Sequence, residues 1–283
     1  MRTRPFAQVD VFTAEPYLGN PVAVVLDAVD LSDEQMAAFA RWTNLSETTF
    51  VLPPTDAAAD YRLRIFTPGG ELPFAGHPTI GSAHAWLGTG AAPRTAGTVV
   101  QECGVGLVRL RQDDAGRLAF GAPPLRRSGP LAPELLDRVV AGLGVRREVV
   151  VDAAWVDNGP PWIGVLLSDA AAVLAVVPDL AAMAGLAVGI VDRYHAEGPA
   201  RVGADAEVRA FVADLGIAED PVTGSLNAGL AQWLVPAGVL PDRYVVSQGT
   251  VLQRAGRVHV ERVGDEFWIG GDAVTCVAGE VRI

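Results

Sequence analysis

The sequence predicts an α+β protein built from two similar halves. Its 283 residues are many for one compact core and suit two domains of about 140 residues each. Short stretches rich in β-branched and aromatic residues alternate with a few helix patterns along the whole chain. The order of these elements repeats once, which indicates that the second half has the same architecture as the first.

The composition is that of an ordinary globular protein, with 50% apolar and 19% charged residues. A net charge of -11 argues against nucleic acid or an anionic membrane as a partner. The two cysteines are far apart, and the first residues lack the apolar segment of a secretory signal. We therefore expect a cytoplasmic protein with free thiols. Independently of this argument, we expect a homodimer.

The first half is predicted to contain strands with an early helix and a later one. The strand patterns are QVDVFT, NPVAVVL, ETTFVL, YRLRIFT, TVVQECGVGLVRLRQD and RLAFGAP. The stretch LSDEQMAAFARWT predicts a helix that opens with a capping box formed by Ser32 and Gln35. A second helix, TIGSAHAWLG, follows Pro78 and ends at Gly88.

A segment rich in proline and glycine, residues 122–133, is predicted to link the halves. The predicted domains are residues 1–121 and 122–283, with the option that the last strand, about 274–283, returns to the first half. The helix PELLDRVVAGLG opens the second half, and another helix follows Pro221. The apolar run from Ala170 to Val191 is interrupted by Pro178, so it predicts two short packed helices and not a membrane span.

Two pairs of segments match between the halves at nearly the same offset. Pro21–Leu26 matches Pro161–Leu166, and His77–Ser82 matches Asp220–Ser225. The agreement of order, spacing and flanking strand indicates duplicated halves related by a pseudo-twofold axis.

The second matched pair predicts an anion-binding chamber. Proline is favoured in the first turn of a helix, so the prolines after His77 and Asp220 predict helices with these two residues as N-caps. Free N–H groups and the helix dipole attract anions at such a start. Gly81-Ser82 and Gly224-Ser225 would let a ligand approach the backbone. If the repeat holds, the two helix starts face each other across the domain cleft.

Each titratable residue also has a structural interpretation. Asp is a common N-cap, which alone favours a structural Asp220, whereas His77 and Glu47 are equally open to structure or function. His77 and His84 have no third ligand at metal spacing. Glycine-rich nucleotide loops and serine hydrolase motifs are also missing from the sequence. We therefore expect neither a metal nor another cofactor.

Several motifs together resemble one known family. They are DVFTAEPYLGNPVAVVL, NLSETTFV, FTPGGELPFAGHPTIGSAHAWL, EDPVTGSLNAGLA and WIGGDAVTCVAGEVRI. The chain resembles, nearly end to end, the PhzF-like isomerases of phenazine biosynthesis, which share the diaminopimelate epimerase-like fold with diaminopimelate epimerase and proline racemase. The resemblance implies two pseudo-symmetric domains, each a curled sheet wrapped around a central helix, with the active site between them.

The resemblance also implies roles for particular residues. Epimerase and racemase relatives use two cysteines where this chain has His77 and Asp220, and neither Cys103 nor Cys276 lies there. PhzF-like isomerases use a glutamate as the proton shuttle, which corresponds to Glu47. The implied catalytic residues are Glu47, His77 and Asp220, and the implied substrate-binding residues are Ser46, Gly76, Gly224 and Ser225.

The implied activity is a cofactor-independent isomerisation that moves a proton and a double bond in a small conjugated substrate bearing a carboxylate. Two alternatives are a racemase or epimerase of an amino-acid-like substrate and a non-catalytic binding protein. Burial and a raised pKa of Glu47 would favour an enzyme, because a shuttle must both accept and return the proton. The chain departs from the family pattern at Leu226, which predicts a bulkier pocket floor.

Overall fold

The structure of the protein, a computed structural model, describes residues 1–195, 202–212 and 218–283. Its internal contacts divide the chain into two compact units. The first unit contains Met1–Gly121 and Gly270–Ile283, and the second contains Ala122–Ile269. Each unit combines a mixed β-sheet with a few helices, which confirms the α+β class.

The first unit holds nearly all of its strands in the first 121 residues. They are β1 (Thr3–Val11), β2 (Asn20–Val25), β3 (Glu47–Leu52), β4 (Tyr61–Thr67), β5 (Gly70–Leu72), β6 (Thr98–Cys103), β7 (Gly106–Gln112), β8 (Leu118–Gly121) and the distant β18 (Ala273–Arg282). Its helices are α1 (Asp33–Thr43) and α2 (Gly76–Gly88). Strand β1 pairs antiparallel with both β2 and β18, so the end of the chain is part of this unit's sheet.

The second unit opens with an additional strand and helix, and from β10 onward it follows the same succession of elements. Its strands are β9 (Arg127–Pro130), β10 (Val150–Asp157), β11 (Trp162–Leu167), β12 (Ala187–Arg193), β13 (Ala206–Val212), β14 (Glu219–Asp220), β15 (Arg243–Gln248), β16 (Gly256–Val263) and β17 (Glu266–Gly271), which ends in the first unit. Its α-helices are α3 (Pro133–Leu143), α4 (Ala170–Ala175) and α5 (Gly224–Leu234).

Strand pairing is the same in the two units, which confirms the internal repeat. In the first unit β1–β2, β3–β4, β4–β5 and β6–β7 are antiparallel, whereas β2–β3 and β4–β6 are parallel. In the second unit β10–β11, β12–β13, β13–β14 and β15–β16 are antiparallel, whereas β11–β12 and β13–β15 are parallel. The matched segments Pro21–Leu26 and Pro161–Leu166 cover the corresponding strands β2 and β11.

Helices α2 and α5 are the buried helices of their units, and small residues allow this. A Cβ atom on Gly81 of α2 would lie 2.4 Å from Cγ1 of Val22 in β2. A Cβ atom on Gly229 of α5 would lie 2.4 Å from the carbonyl oxygen of Val156 in β10. Since neither distance tolerates a side chain, glycine sets how closely each helix approaches its sheet.

Local sequence signals placed the first helix correctly. Ser32 Oγ accepts the N–H of Gln35 at 3.3 Å, and the Gln35 side chain accepts the N–H of Ser32 at 2.9 Å. This is the predicted capping box, and α1 ends at Asn44 in the left-handed conformation. The predicted end of α2 at Gly88 is also confirmed.

The prediction of two helices between Ala170 and Val191 is wrong in its second half. Asp169 caps α4, and its carboxylate accepts the N–H of Ala172 at 2.7 Å. The end of the run is strand β12, which pairs with β11 in parallel, so its continuous apolar sequence reflects burial in a sheet. The predicted linker also contains a strand, since β9 pairs with β10. No helix among the described residues is long and apolar enough to cross a membrane.

Candidate active site

Glu47 is the first residue of β3, where the strand enters the sheet of the first unit. Its side chain is only 15% exposed. The residues that follow it are fixed by hydroxyl contacts, since Thr48 Oγ1 lies 2.7 Å from Thr43 Oγ1, and Thr49 Oγ1 lies 2.8 Å from Ser82 Oγ. These bonds tie the start of β3 to both helices of the unit, so the Glu47 backbone has a defined position. Ser46, the residue before it, is half-buried in the turn that leads into β3.

The carboxylate of Glu47 faces the imidazole of His77. Glu47 Oε2 and His77 Nε2 are 3.3 Å apart, and the His77 side chain is 6% exposed. His77 is the second residue of α2, so its ring starts from the first turn of the buried helix. The structure thus brings together two residues that the sequence assigned to one site.

Burial decides the ionisation of His77. It lowers the pKa of the imidazole to about 3, and a hydrogen bond to the backbone carbonyl of Pro21 opposes that shift only in part. Nε2 makes no hydrogen bond within the described residues. Burial therefore keeps a neutral imidazole beside the Glu47 carboxylate.

The predicted N-cap role of His77 is wrong. The N-cap of α2 is Ala75, in an extended conformation, and the helix begins at Gly76. Proline fits any position of the first turn, where N–H groups have no acceptor within the helix, so the helix begins ahead of Pro78. The N–H groups of Gly76 and His77 stand in this turn, ahead of the first helical bond from Thr79 to Ala75.

The predicted N-cap role of Asp220 is wrong as well. Asp220 belongs to β14 and pairs with Ala210, whereas α5 begins at Gly224 with Thr223 as its N-cap. The Asp220 carboxylate accepts the Thr223 hydroxyl at 2.6 Å. His77 and Asp220 therefore occupy different positions relative to their helices, although the strand order around them repeats.

Asp220 is held in a polar network that the sequence analysis missed. Gln248 donates to the Asp220 carbonyl at 3.2 Å and to Thr223 Oγ1 at 2.9 Å. Its side-chain oxygen accepts the N–H of Thr223 at 3.0 Å and the amide of Asn227 at 2.9 Å. The only sequence signal was a glutamine at the end of the apolar strand YVVSQ. This network fixes the entry to α5.

Gly224 and Ser225 form the first turn of α5 as expected from the motif. Trp162 donates its indole N–H to Ser225 Oγ at 3.0 Å, and Asn158 donates to the Ser225 carbonyl at 2.8 Å. The Ser225 hydroxyl therefore accepts from Trp162 and still has its own hydrogen to donate.

Two other expectations for the motifs are corrected. Gly81 and Ser82 do not offer a ligand surface, since Gly81 packs on Val22 and Ser82 bonds to Thr49. Leu226 is fully buried and does not form a pocket floor. Its side chain occupies the space next to Gly189 of β12, where a Cβ atom would lie 2.3 Å from Leu226 Cδ1.

The thiols and possible metal ligands lie elsewhere. Cys103 ends β6 and Cys276 lies in β18, so neither stands at the start of α2 or α5. In the described part of the chain, His, Cys, Asp and Glu side chains form no group of three or more that could hold a metal ion. The chemistry visible in the first unit is that of a carboxylate and a neutral imidazole.

Comparison with known proteins identifies the family of the chain. The family model described as phenazine biosynthesis-like protein matches residues 9–279. Antisense-enhancing sequence 1 of Schizosaccharomyces pombe is 35% identical, with 99% of each chain covered. The trans-2,3-dihydro-3-hydroxyanthranilate isomerase of Pseudomonas aeruginosa is also 35% identical, over 92% of this chain and 90% of that one.

Solved structures show the same fold. A PhzF-family protein of Enterococcus faecalis superimposes with a TM-score of 0.81 at 26% identity, covering 100% of both chains. A hydroxyproline epimerase of Agrobacterium vitis superimposes with a TM-score of 0.58 at 17% identity, over 99% of this chain and 92% of that one, which shows the fold alone. The chain therefore belongs to the phenazine biosynthesis-like (PhzC-PhzF) family and is an isomerase.

Proposed function

We propose that this isomerase works without a cofactor and moves a proton and a double bond in a small, conjugated substrate that bears a carboxylate. Glu47 is the acid and base, and His77 and Asp220 assist it. The observation that carries this proposal is the buried approach of Glu47 Oε2 to the neutral ring of His77 at 3.3 Å. The P. aeruginosa relative, named for a dihydro-hydroxyanthranilate, supplies the substrate class.

The reaction needs only one shuttled proton. The Glu47 carboxylate removes an allylic C–H proton, and the electron pair of that bond becomes a new double bond while the old one shifts along the conjugated system. The protonated Glu47 then returns the proton at the far carbon, so the carboxylate is regenerated. The substrate gains and loses one proton in all.

His77 suits the intermediate of this cycle. When Glu47 carries the proton, its hydroxyl can turn to donate to Nε2 of the neutral ring, which lies 3.3 Å from Oε2. Because the pKa of His77 is about 3, the ring accepts this hydrogen bond without taking the proton away. His77 therefore holds the protonated carboxyl and leaves the proton on Glu47.

Gly76, Gly224 and Ser225 are the proposed substrate-binding residues at the starts of α2 and α5. Their first-turn N–H groups have no acceptor within their own helices. Such groups bind anions, helped by the positive end of the helix dipole. Ser46, half-buried beside Glu47, is assigned to the substrate as well.

The alternatives have less support. A racemase of the two-cysteine kind requires thiols where this chain has His77 and Asp220, and the two cysteines lie elsewhere, in β6 and β18. A protein that only binds its ligand has no need to bury a carboxylate, yet Glu47 is 15% exposed next to an imidazole. Both observations favour proton transfer by a carboxylate.

The test is turnover in D₂O with trans-2,3-dihydro-3-hydroxyanthranilate as the probe, followed by proton NMR. We expect a shifted double bond in which the receiving carbon keeps the substrate's own hydrogen, except where the Glu47 carboxyl exchanges with D₂O before it returns the proton. Glu47→Gln should lower the rate by at least 100-fold with the circular dichroism spectrum unchanged, since the amide cannot carry the proton. Glu280→Gln, at an exposed position of β18, is the matched control and should keep the wild-type rate.

Two outcomes would contradict different parts of this proposal. If the Glu47→Gln variant keeps more than a few per cent of the wild-type rate, Glu47 is not the shuttle. If the wild type leaves the probe unchanged but exchanges deuterium into other unsaturated carboxylic acids, the substrate is wrong and the mechanism stands.

A further inference from the structure

The hydroxyl contact between Thr49 in β3 and Ser82 in α2 is fully buried. The two hydroxyl oxygens are 2.8 Å apart. Thr49 donates its single hydroxyl hydrogen to the carbonyl oxygen of Ala23 in β2 at 3.2 Å, so Ser82 must be the donor to Thr49. The three residues therefore form a directed chain of hydrogen bonds that runs from α2 through β3 to β2.

Helix α2 meets β3 at a second point, where Glu47 faces His77. Glu47 and Thr49 are two residues apart in the strand, so their side chains belong to the same face of the sheet. Glu47 Oε2 lies 3.3 Å from His77 Nε2, and Thr49 Oγ1 lies 2.8 Å from Ser82 Oγ. The strand and the helix are thus in contact through one proposed catalytic pair and one pair of hydroxyl groups.

The two contacts are spaced alike on the helix and on the strand. From His77 to Ser82 the helix rises about 7.5 Å. From Glu47 to Thr49 the strand advances about 6.6 Å. Because these two distances nearly agree, both contacts form at the same position of α2 along β3. A movement of the helix along the strand that breaks one contact also breaks the other.

Apolar packing favours this position less strictly than the hydroxyl contact does. Gly81, the residue before Ser82, allows α2 to approach the sheet closely, since a Cβ atom there would lie 2.4 Å from Val22 Cγ1. Apolar contacts have no preferred direction, whereas a hydrogen bond weakens steeply when its donor leaves the line of the acceptor. A buried hydroxyl without a partner is also costly, which penalises every displaced position of the helix.

We propose that Thr49 and Ser82 are positioning residues of the isomerase: their hydrogen bond holds α2 at the position along β3 where His77 meets Glu47. This inference rests on the proposed function for its kinetic consequence, and on the geometry alone for the distance between the two side chains. Without the bond, the helix moves along the strand, and the distance between Glu47 and His77 increases.

The experiment compares Thr49→Val with a matched control on the other helix of the unit. Thr49→Val keeps the shape of the side chain but leaves the Ser82 hydroxyl without its acceptor. The control is Thr43→Val, because Thr43 Oγ1 donates to the Ala40 carbonyl at 2.9 Å and therefore accepts from the buried Thr48, 2.7 Å away. Each variant removes the middle hydroxyl of such a chain, so both should lower stability to a similar extent. The control chain joins β3 to α1, which carries neither member of the pair.

The readouts are kcat and KM of the isomerisation and the distance between Glu47 Oε2 and His77 Nε2 in crystal structures of the variants. In Thr49→Val, kcat should fall by roughly 10- to 100-fold, as for a catalytic group displaced by about 1 Å, with a smaller change in KM. The distance should be longer than the 3.3 Å of the wild type. Thr43→Val should leave both kcat and the distance at wild-type values.

Two further variants separate the position of α2 from stability. The double variant Thr49→Val/Ser82→Ala leaves neither hydroxyl without a partner, so its stability should recover while kcat stays low and the distance stays long, also if Thr49→Val itself does not fold. Thr49→Ser keeps the hydroxyl and should restore kcat. A wild-type distance or a wild-type kcat in the double variant, or equal losses of kcat in Thr49→Val and Thr43→Val, would overturn the proposal. If the wild type turns over no substrate, the proposed function fails on its own, and the distances still decide the role of Thr49.

Discussion

Glu47 Oε2 and His77 Nε2 lie 3.3 Å apart, and burial lowers the pKa of the His77 imidazole to about 3. A neutral imidazole nitrogen and a carboxylate at this distance can share one proton. This is the property that a carboxylate shuttle requires, because the proton must stay available for return.

The first prediction concerns stability at low pH. Burial lowers the pKa of His77 from 6.5 to about 3, so between these values the unfolded chain binds a proton that the folded protein does not. Stability linked to His77 is therefore present above pH 6.5 and is lost as the pH falls toward 3. Between pH 7 and pH 4.5 the loss should reach about 2–3 kcal/mol.

Urea denaturation of the wild type and of His77→Gln at both pH values measures this loss. Between pH 7 and pH 4.5 the free energy of unfolding of His77→Gln should fall by about 2–3 kcal/mol less than that of the wild type. The variant has no imidazole at position 77 that becomes protonated in the unfolded chain. His195→Gln is the control, since that side chain is 57% exposed. An equal response of both variants would show that His77 does not carry the effect.

The second prediction concerns Leu226 and Gly189, which share one space in the second unit. Gly189→Ala should cost about 1–3 kcal/mol, because its Cβ atom would lie 2.3 Å from Leu226 Cδ1. Leu226→Ala should cost about 2–5 kcal/mol through a cavity. The double variant should be more stable than the sum predicts, since each change relieves the defect of the other.

A double-mutant cycle by chemical denaturation gives the coupling between these two positions. Gly279→Ala is the control, because nothing lies within 4 Å of a Cβ atom at this strand glycine. It should change stability by less than about 0.5 kcal/mol. Additive effects at positions 189 and 226 would mean that Leu226 has room to move. The prediction that Leu226 belongs to a pocket floor would then stand again.

Elements with local signals were predictable from the sequence. The capping box of α1 and the glycine at the end of α2 act within a few residues, so the pattern alone identifies them. The start of α2 was not predictable to the residue, because Pro78 fits several positions of a first turn. Strand β12 was missed since a continuous apolar run reads alike as a buried parallel strand and as a helix.

Some parts of the candidate site could also be predicted from the sequence, whereas others could not. Glu47 and His77 stood out as titratable residues in apolar surroundings, and their motifs resembled those of one family. The parts that orient them were invisible, because the Pro21 carbonyl is a backbone group that any residue could supply. Gln248 was also missed, since it acts on Thr223 and Asp220 through contacts between distant segments.

The third prediction concerns cofactors. The sequence has no nucleotide-binding loop, and the described residues gather no metal-ligating cluster. Extensive dialysis against a chelator should therefore leave the isomerisation rate unchanged, and the active protein should show no visible absorbance band. Stoichiometric metal in the active protein, or recovery of a lost rate on adding a divalent cation, would contradict this prediction.

The last prediction concerns the ion pair that holds β14, the strand of Asp220. Arg209 bonds both oxygens of Glu219, from Nε at 2.9 Å and from Nη2 at 2.8 Å, with side-chain exposures of 3% and 8%. Its Nη1 also donates to the carbonyls of Val173 and Val176 at the end of α4. Glu219→Gln should cost about 3–5 kcal/mol, because it leaves a buried guanidinium without its counter-charge.

Replacing both partners by methionine should cost much less than the sum of the single changes, since no charge then remains buried. Asp30→Asn, which breaks the exposed pair of Asp30 with Arg2, is the control and should cost less than about 1 kcal/mol. Stability from urea denaturation and the rate of isomerisation should be measured together. Because Glu219 precedes Asp220 in the strand, Glu219→Gln should also lower kcat in the fraction that remains folded. An unchanged kcat would show that the ion pair does not determine the position of Asp220.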